Sequence, residues 1–187
     1  CFNQKEKMKI IKIPYSISVK VSDVLKHINS FKSKYVKNGI IPDLKKSFIK
    51  NLFNTFRSHL NYNDIYPFKL KINSDERGSF VETMKLSSRG QVSFSLTHPN
   101  VTRGNHFHTR KTERFAVIKG KAKIEFRKIG TEKKYVFQLD GSKPSFVDMP
   151  VWYTHNITNV GTTDLYTIFW VDEIFNKFDP DTYFMEV

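Results

Sequence analysis

Residues 104–113 read Gly104-Asn105-His106-Phe107-His108-Thr109-Arg110-Lys111-Thr112-Glu113, and their reading decides the fold. In an extended strand alternate side chains share a face, so His106 and His108 point the same way. The polar turn Thr109-Arg110-Lys111-Thr112 lets Glu113 return on a neighbouring strand. His155 stands in a later β-rich segment and must arrive by folding. Three imidazoles and one carboxylate make a ligand set for a divalent metal. Imidazole suits zinc, iron, nickel or copper, and the carboxylate keeps zinc, iron and manganese open. Four protein ligands can close a structural zinc site, whereas an enzyme site keeps a position for water or substrate. Such a set predicts a small antiparallel barrel with the metal in its mouth.

Working outward, the chain alternates apolar and polar residues from about position 66. Strands are expected at 66–72, 79–86, 91–97, 104–108, 113–119, 121–127, 133–139, 145–149, 152–159 and 164–171. Turn signals separate them, among them Asp75-Glu76-Arg77-Gly78, Arg89-Gly90, Lys119-Gly120 and Asp140-Gly141. Many short strands at steady spacing predict a sandwich or barrel, and an internal metal set favours a jelly roll. The aromatic and acidic tail, Phe175 to Val187, is expected to pack on it.

Towards the N-terminus the period changes. Residues 8–14 read as a short strand or extended segment. Ser22-Asp23 opens an amphipathic helix carrying Val24, Leu25, Ile28, Phe31, Tyr35 and Val36, and Asn38-Gly39 ends it. Pro42-Asp43 is expected to open a second helix with Leu44, Phe48, Ile49, Leu52, Phe53 and Phe56 on one stripe. The expected division is a helical segment over 1–62 and a mainly β domain over 63–187. Two helices alone make a poor core. They need the barrel, a second copy or a further domain to cover.

At 187 residues the chain supports one domain with a real core plus an appendage. A single cysteine, Cys1, excludes an intramolecular disulfide framework and fits a reducing compartment. With no 18-residue apolar run and no apolar signal-type segment, a membrane is not an expected partner and a cytoplasmic location is. The net charge is +13, and residues 1–62 hold 13 Lys/Arg against 3 acids. These lysines are scattered, with no recognition-helix or aromatic-platform motif, so they read as a solvated face rather than a nucleic-acid grip. Basic groups near the barrel favour a phosphorylated substrate.

The spacing resembles that of the cupin family. The first cupin motif runs Gly, spacer, His-x-His, four residues, Glu, six residues, Gly; Gly104, His106, His108, Glu113 and Gly120 match it. The second runs Pro-x-Gly-x-x-His-x-x-x-Asn; Pro150, His155 and Asn159 match, while Trp152 replaces the glycine and implies a different local turn. A closer resemblance is carried by several stretches. They are Lys50-Asn51-Leu52-Phe53-Asn54-Thr55-Phe56-Arg57-Ser58, Asp75-Glu76-Arg77-Gly78-Ser79-Phe80-Val81-Glu82, Arg89-Gly90-Gln91-Val92-Ser93, Tyr153-Thr154-His155-Asn156-Ile157 and Pro180-Asp181-Thr182-Tyr183-Phe184-Met185-Glu186-Val187. They are similar to the C-terminal part of the bifunctional capsule-enzyme family of CapF, FnlC and WbjC, from about residue 20 onward.

That resemblance implies a zinc cupin that epimerises C-3 of a UDP-4-keto-6-deoxy-N-acetylhexosamine on the way to UDP-N-acetyl-L-fucosamine. In the family an N-terminal short-chain dehydrogenase domain then reduces the ketone with NADPH. Here no Gly-rich dinucleotide turn follows a strand and no Tyr-x-x-x-Lys pair occurs. Residues 1–62 resemble only the last helices of the reductase region and the join to the cupin. Reduction is therefore not expected of this chain alone, and a separate reductase domain is an expected partner. Asp75–Phe80 and Arg103-Gly104 also resemble the metal-free dTDP-4-keto-6-deoxyglucose 3,5-epimerases, whose basic groups meet nucleotide-sugar phosphates.

The resemblance assigns residues to roles. His106, His108, Glu113 and His155 hold the metal, with Zn2+ the expected ion, and Asn159 is a candidate to orient the imidazoles. Tyr153, alternating onto the face of His155, is the candidate proton donor or acceptor. Arg77 and Arg103 are candidates for the phosphates of the UDP-sugar, with Glu82 holding Arg77. Lys119, Lys121 and Lys123 read as a solvated row, and His27, His59 and His98 as surface or packing residues. A homodimer through the cupin domain is expected. The rival reading is a non-catalytic module in which metal and barrel stabilise fold and dimer.

Overall fold

Alternation of apolar and polar residues builds two antiparallel sheets that face each other. The computed structural model describes residues 14, 15 and 17–187, so the extended segment expected at 8–14 lies almost wholly outside the described residues. The strands are β1 (Ile40–Ile41), β2 (Ile72–Asp75), β3 (Gly78–Leu86), β4 (Gln91–Thr97), β5 (Thr102–Phe107) and β6 (Glu113–Lys119). They continue as β7 (Lys121–Lys128), β8 (Lys134–Asp140), β9 (Ser145–Met149), β10 (Tyr153–Asn159), β11 (Leu165–Val171) and β12 (Tyr183–Phe184). One sheet runs β1-β3-β4-β11-β6-β9, with β2 also on β3; the other runs β12-β5-β10-β7-β8. This is the expected jelly roll of the cupin type.

Between the sheets lies a core of Phe115, Val117, Ala122, Ile124, Leu139, Met149, Ile157 and Leu165. These are the inward residues of β6, β7, β8, β9, β10 and β11. The long-range pairing places His155 opposite His106 across β10 and β5, and Glu113 opposite Met149 and Val171 on the other sheet. Gly104 makes that approach possible. Its φ is +103°, and a Cβ there would come 2.7 Å from the His155 carbonyl oxygen. Trp152 stands where the second motif has glycine. It holds φ +63°, the left-handed conformation that glycine takes without cost. Its N–H donates to His108 O at 2.8 Å and its carbonyl accepts from Ile129 N at 3.0 Å, which fix the turn despite the side chain.

Two amphipathic helices precede the sheets. α1 spans Val21–Ser30 and continues as a π-helical stretch to Val36; α2 spans Ser47–Ser58. They close on each other around Phe31 and Phe53, whose rings meet edge-on at 5.1 Å, with Tyr35 over Phe53 at 4.9 Å. β1 then joins this pair to the barrel by running parallel to the end of β3.

Two boundaries differ from the sequence reading. Pro42-Asp43 does not open α2. The Asp43 carboxylate accepts the Lys45 N–H at 3.0 Å, a local turn that postpones the helix to Ser47 and leaves Leu44 outside it. Residues 66–71 form no strand, and β2 begins only at Ile72. Pro67 has no N–H for a ladder, and Phe68 and Leu70 instead line a groove with Tyr35, Ile41 and Met84. The tail packs as expected and adds β12 against β5.

Candidate metal centre

Three strands and one turn bring the ligand set together. His106 is the penultimate residue of β5, His108 follows the strand, Glu113 opens β6 and His155 sits in β10. One side-chain donor atom from each lies within 4.8 Å of every other. Glu113 Oε2 is the hub: it is 3.1 Å from His155 Nε2, 3.2 Å from His108 Nε2 and 4.0 Å from His106 Nε2. Ligand atoms around one zinc-sized ion lie roughly 3–4 Å apart.

The hydrogen bonds set which nitrogens face inward. His155 Nδ1 meets the Tyr153 carbonyl at 3.1 Å, and His108 Nδ1 meets the Asp181 carbonyl. A carbonyl only accepts, so both rings carry hydrogen on Nδ1 and turn the Nε2 lone pair inward. Those lone pairs point at a carboxylate oxygen, itself an acceptor, and His108 Nε2 is buried with no hydrogen-bond partner. Acceptors converging on an acceptor need a cation between them. The residues present therefore fit a divalent metal.

The electrostatics agree for His106 and Glu113. Burial, with His155 beside it, pulls His106 down to about 4, so its ring is neutral near pH 7. Burial alone would lower His108 and raise Glu113. Their close approach, together with that of His155 to Glu113, more than offsets this, raising His108 and holding Glu113 well below the usual carboxylate range. A neutral His106 and an ionised Glu113 are the forms that ligate metal.

A cavity of about 580 Å³ opens above this set. His106, His108 and Glu113 lie in its wall, Phe80, Phe115, Ile157, Phe169 and Phe175 form apolar surface, and Asn73, Arg77, Glu82, Arg103 and Lys111 supply polar groups. The expected pairing of Glu82 with Arg77 does not form. Glu82 binds Lys85, while Asp75 accepts from Arg77 Nε at 2.9 Å and lies 3.8 Å from Arg103. Asp75, two residues before Arg77 in the same turn, was the missed holder. Arg103 also donates to Thr97 Oγ1 at 3.0 Å.

Other candidates fall elsewhere. Tyr153 shares the inward face of β10 but is not part of the cavity lining. Its ring packs edge-on to Phe126 at 5.7 Å, and it reaches the centre only through its carbonyl on His155. Asn159 does not orient the imidazoles. Its amide donates to Thr97 O and Thr163 O and accepts from Gly161 N, closing the turn after β10. Lys119 and Lys121 border a different depression with Gly120, Asp140 and Gly161, and Lys123 pairs with Glu125. His98 pairs with Asp164, and His27 stacks on Phe31. Among the described residues no helix is long and apolar enough to cross a membrane.

Comparison with known proteins sets this centre in context. The family model described as polysaccharide biosynthesis C-terminal domain matches residues 73–183. The chain is 44% identical over 132 residues to the UDP-2-acetamido-2,6-beta-L-arabino-hexul-4-ose reductase of Pseudomonas aeruginosa, covering 71% of this chain and 35% of that one. It is similar to CapF from Staphylococcus aureus, with a TM-score of 0.75 at 41% identity over 89% of this chain and 44% of CapF. A crystal structure of CapF with the inhibitor 3-isopropenyl-tropolone gives 0.78 at 40% identity, covering 89% and 48%. The chain thus spans about a third of the reductase and about half of CapF.

Proposed function

This chain belongs to the polysaccharide biosynthesis C-terminal domain family, and on that premise we propose that it is a metal-dependent epimerase acting at C-3 of a UDP-4-keto-6-deoxy-N-acetylhexosamine. The observation that carries the reading is one cavity whose wall holds His106, His108 and Glu113 of the four-residue set, with His155 buried behind them, together with a pair of arginines. The Pseudomonas aeruginosa relative is named for a UDP-linked hexul-4-ose. In such a sugar C-3 flanks the C-4 ketone, so its proton is acidic and its loss leaves an enolate. The tropolone that inhibits CapF presents adjacent carbonyl and hydroxyl oxygens, the pattern of a bidentate metal chelator.

In this reading His106, His108, Glu113 and His155 hold a divalent ion, with zinc the first choice. When bound, the ion supplies Lewis-acid stabilisation of charge on an oxygen beside the reacting carbon. Arg77 and Arg103 bind the diphosphate, pre-aimed by Asp75. The apolar wall of Phe80, Phe115 and Phe169 limits water around the sugar. Glu82, a cavity carboxylate not committed to the metal, takes the C-3 proton at its carboxylate oxygen. Tyr153 acts on the site through its carbonyl, holding His155.

The testing experiment is proton exchange. Incubation with the UDP-4-keto sugar in D₂O is expected to place deuterium at C-3, seen by NMR, and a metal-stripped sample is expected to show none. Glu82→Gln should slow exchange by about 10²–10⁴-fold with metal content unchanged. No exchange by folded, metal-loaded protein removes the epimerase reading and favours a non-catalytic module. Arg77→Ala is expected to weaken UDP binding by about 1.5–3 kcal/mol, the value of a charged hydrogen bond, without loss of metal. Unaltered UDP affinity by calorimetry takes Arg77 out of the site.

We also propose that the chain pairs with a second copy through the outer face of the larger sheet. Register lines up Val81, Phe94, Ile168, Ala116 and Phe146 across neighbouring strands, an apolar row on the solvent side. Ile168→Asp is expected to give a monomer by analytical ultracentrifugation; a wild-type protein already monomeric at micromolar concentration rejects this pairing. The helical segment, 1–62, is read as the join to a reductase domain. Exposed Val21 and Leu25 on α1 are the surface that such a domain would cover.

A further inference from the structure

The segment Asp179–Val187 crosses the chain's own metal loop some seventy residues away in sequence. At its centre stands Asp181, 3% exposed and held at φ +40°. Its carboxylate accepts from Thr109 N at 3.1 Å, Thr109 Oγ1 at 2.5 Å, Arg110 N at 3.0 Å and Lys111 N at 3.0 Å. Its backbone carbonyl accepts from His108 Nδ1. One residue therefore closes the backbone donors of Thr109, Arg110 and Lys111 in the turn between His108 and Glu113, leaving Thr112 N to Asp172, and also sets the tautomer of His108.

We infer that Asp181 is the positioning residue of the cation site: its carboxylate shapes the 109–111 turn and its carbonyl aims His108 Nε2 at Glu113. The inference rests on the metal reading above and deepens it. Three backbone N–H groups and a hydroxyl aimed at one carboxylate leave that loop little freedom, because each donor released into a buried site goes unsatisfied. Loop 109–111 links two ligands, so fixing it fixes the distance between His108 and Glu113 before any ion arrives.

A buried lysine contact holds Asp181 in place, and exposed arginine pairs lie beside it. Lys111, 7% exposed, donates its ammonium to the Pro180 carbonyl, and Arg110 grips Glu173 at 2.9 Å and Asp179 at 2.8 Å. β12 lies on β5 with Phe184 opposite His106, and Met185 N donates to Asn105 O at 2.9 Å. Arg127 and Lys134 take the Glu186 and Val187 carbonyls, each at 2.9 Å. The tail is thus tied beside two metal ligands, and Thr182 contributes to the cavity wall.

The test uses the full chain with Asp181→Asn, Asp181→Ala and Asp179→Ala. Asparagine tolerates the left-handed backbone but puts an N–H₂ where the turn's N–H groups need an acceptor. Zn2+ affinity is measured by competition with a chromophoric chelator, and the imidazole tautomers of the metal-free proteins by ¹H–¹⁵N correlation. Both Asp181 variants should bind Zn2+ about 10–100-fold more weakly, as removal of outer partners of metal ligands does. His108 should move from a single Nδ1–H tautomer to a mixture. Asp179→Ala, which loses only an exposed arginine pair, should stay within about twofold, as surface changes do.

A merely structural role would lower the melting temperature and leave the His108 signals of the folded protein as in wild type. Should Asp181→Ala fail to fold, Asp181→Asn carries the comparison. A folded Asp181→Asn with wild-type Zn2+ affinity and an unchanged His108 tautomer overturns the assignment. Absence of Zn2+ uptake by wild type removes the metal reading instead, and the His108 tautomer in metal-free protein then decides the positioning role alone.

Discussion

His155→Ala is expected to abolish stoichiometric metal binding and to cause the largest loss of thermal stability of any single ligand change. His155 has no exposed surface, lies 3.1 Å from Glu113 Oε2 and faces the His106 ring at 4.7 Å between centroids. Its removal takes the nearest polar partner from a buried carboxylate, costing about 1.5–3 kcal/mol. It also leaves a cavity in the middle of β10 and forfeits the linkage term of the bound ion, about 4 kcal/mol at 1,000-fold excess over Kd. Elemental analysis and melting with and without chelator separate these parts. The wild type should lose stability on chelation, while His155→Ala should not respond. His106→Ala should behave alike but keep more stability, because its ring is 4.0 Å from Glu113 and partly exposed. Unchanged metal content in both variants sinks the ligand assignment.

Phe115→Ala is the second large effect, expected to cost about 3–5 kcal/mol. Phe115 is 4% exposed and meets Phe169 edge-on at 4.4 Å and His155 at 5.6 Å. It belongs at once to the core, the cavity wall and the packing that stops the His155 ring from turning. Chemical denaturation should show a lower midpoint at unchanged slope, and metal affinity should fall with it. Phe184, 79% exposed, provides the contrast: its alanine variant should stay within about 0.5 kcal/mol. Equal midpoints for the two variants would mean that Phe115 is not core.

Much of this was legible because strand chemistry is local. The alternation over 113–119 and 164–171 reproduces in β6 and β11 almost to the residue, and the His-x-His pattern needs only the two-residue strand period to put both rings on one face. The helix stripe of Phe53 and Phe56 was equally plain. Misread boundaries lie where a side chain competes with the backbone. Asp43 captures the Lys45 N–H and delays α2, and Pro67 cannot join a ladder. The φ of Trp152 is not legible locally, because it is held by hydrogen bonds to His108 and Ile129, neither of them a neighbour in sequence.

The site divides in the same way. Residue types and spacing alone were enough to bring His106, His108 and Glu113 together as a candidate metal-ligand set, because a strand and a short turn suffice to juxtapose them. They also named His155 without saying how it arrives, while Arg77 and Arg103 were named through the family resemblance. Only the tertiary structure decided that Asp75 rather than Glu82 holds Arg77, that Tyr153 turns to Phe126 while its carbonyl sets His155, and that Asp181 ties the metal loop. Partner choice over such separations depends on register and distance between strands that meet only in the folded barrel. A carboxylate carries no mark in sequence of which donor, two or seventy residues away, will reach it.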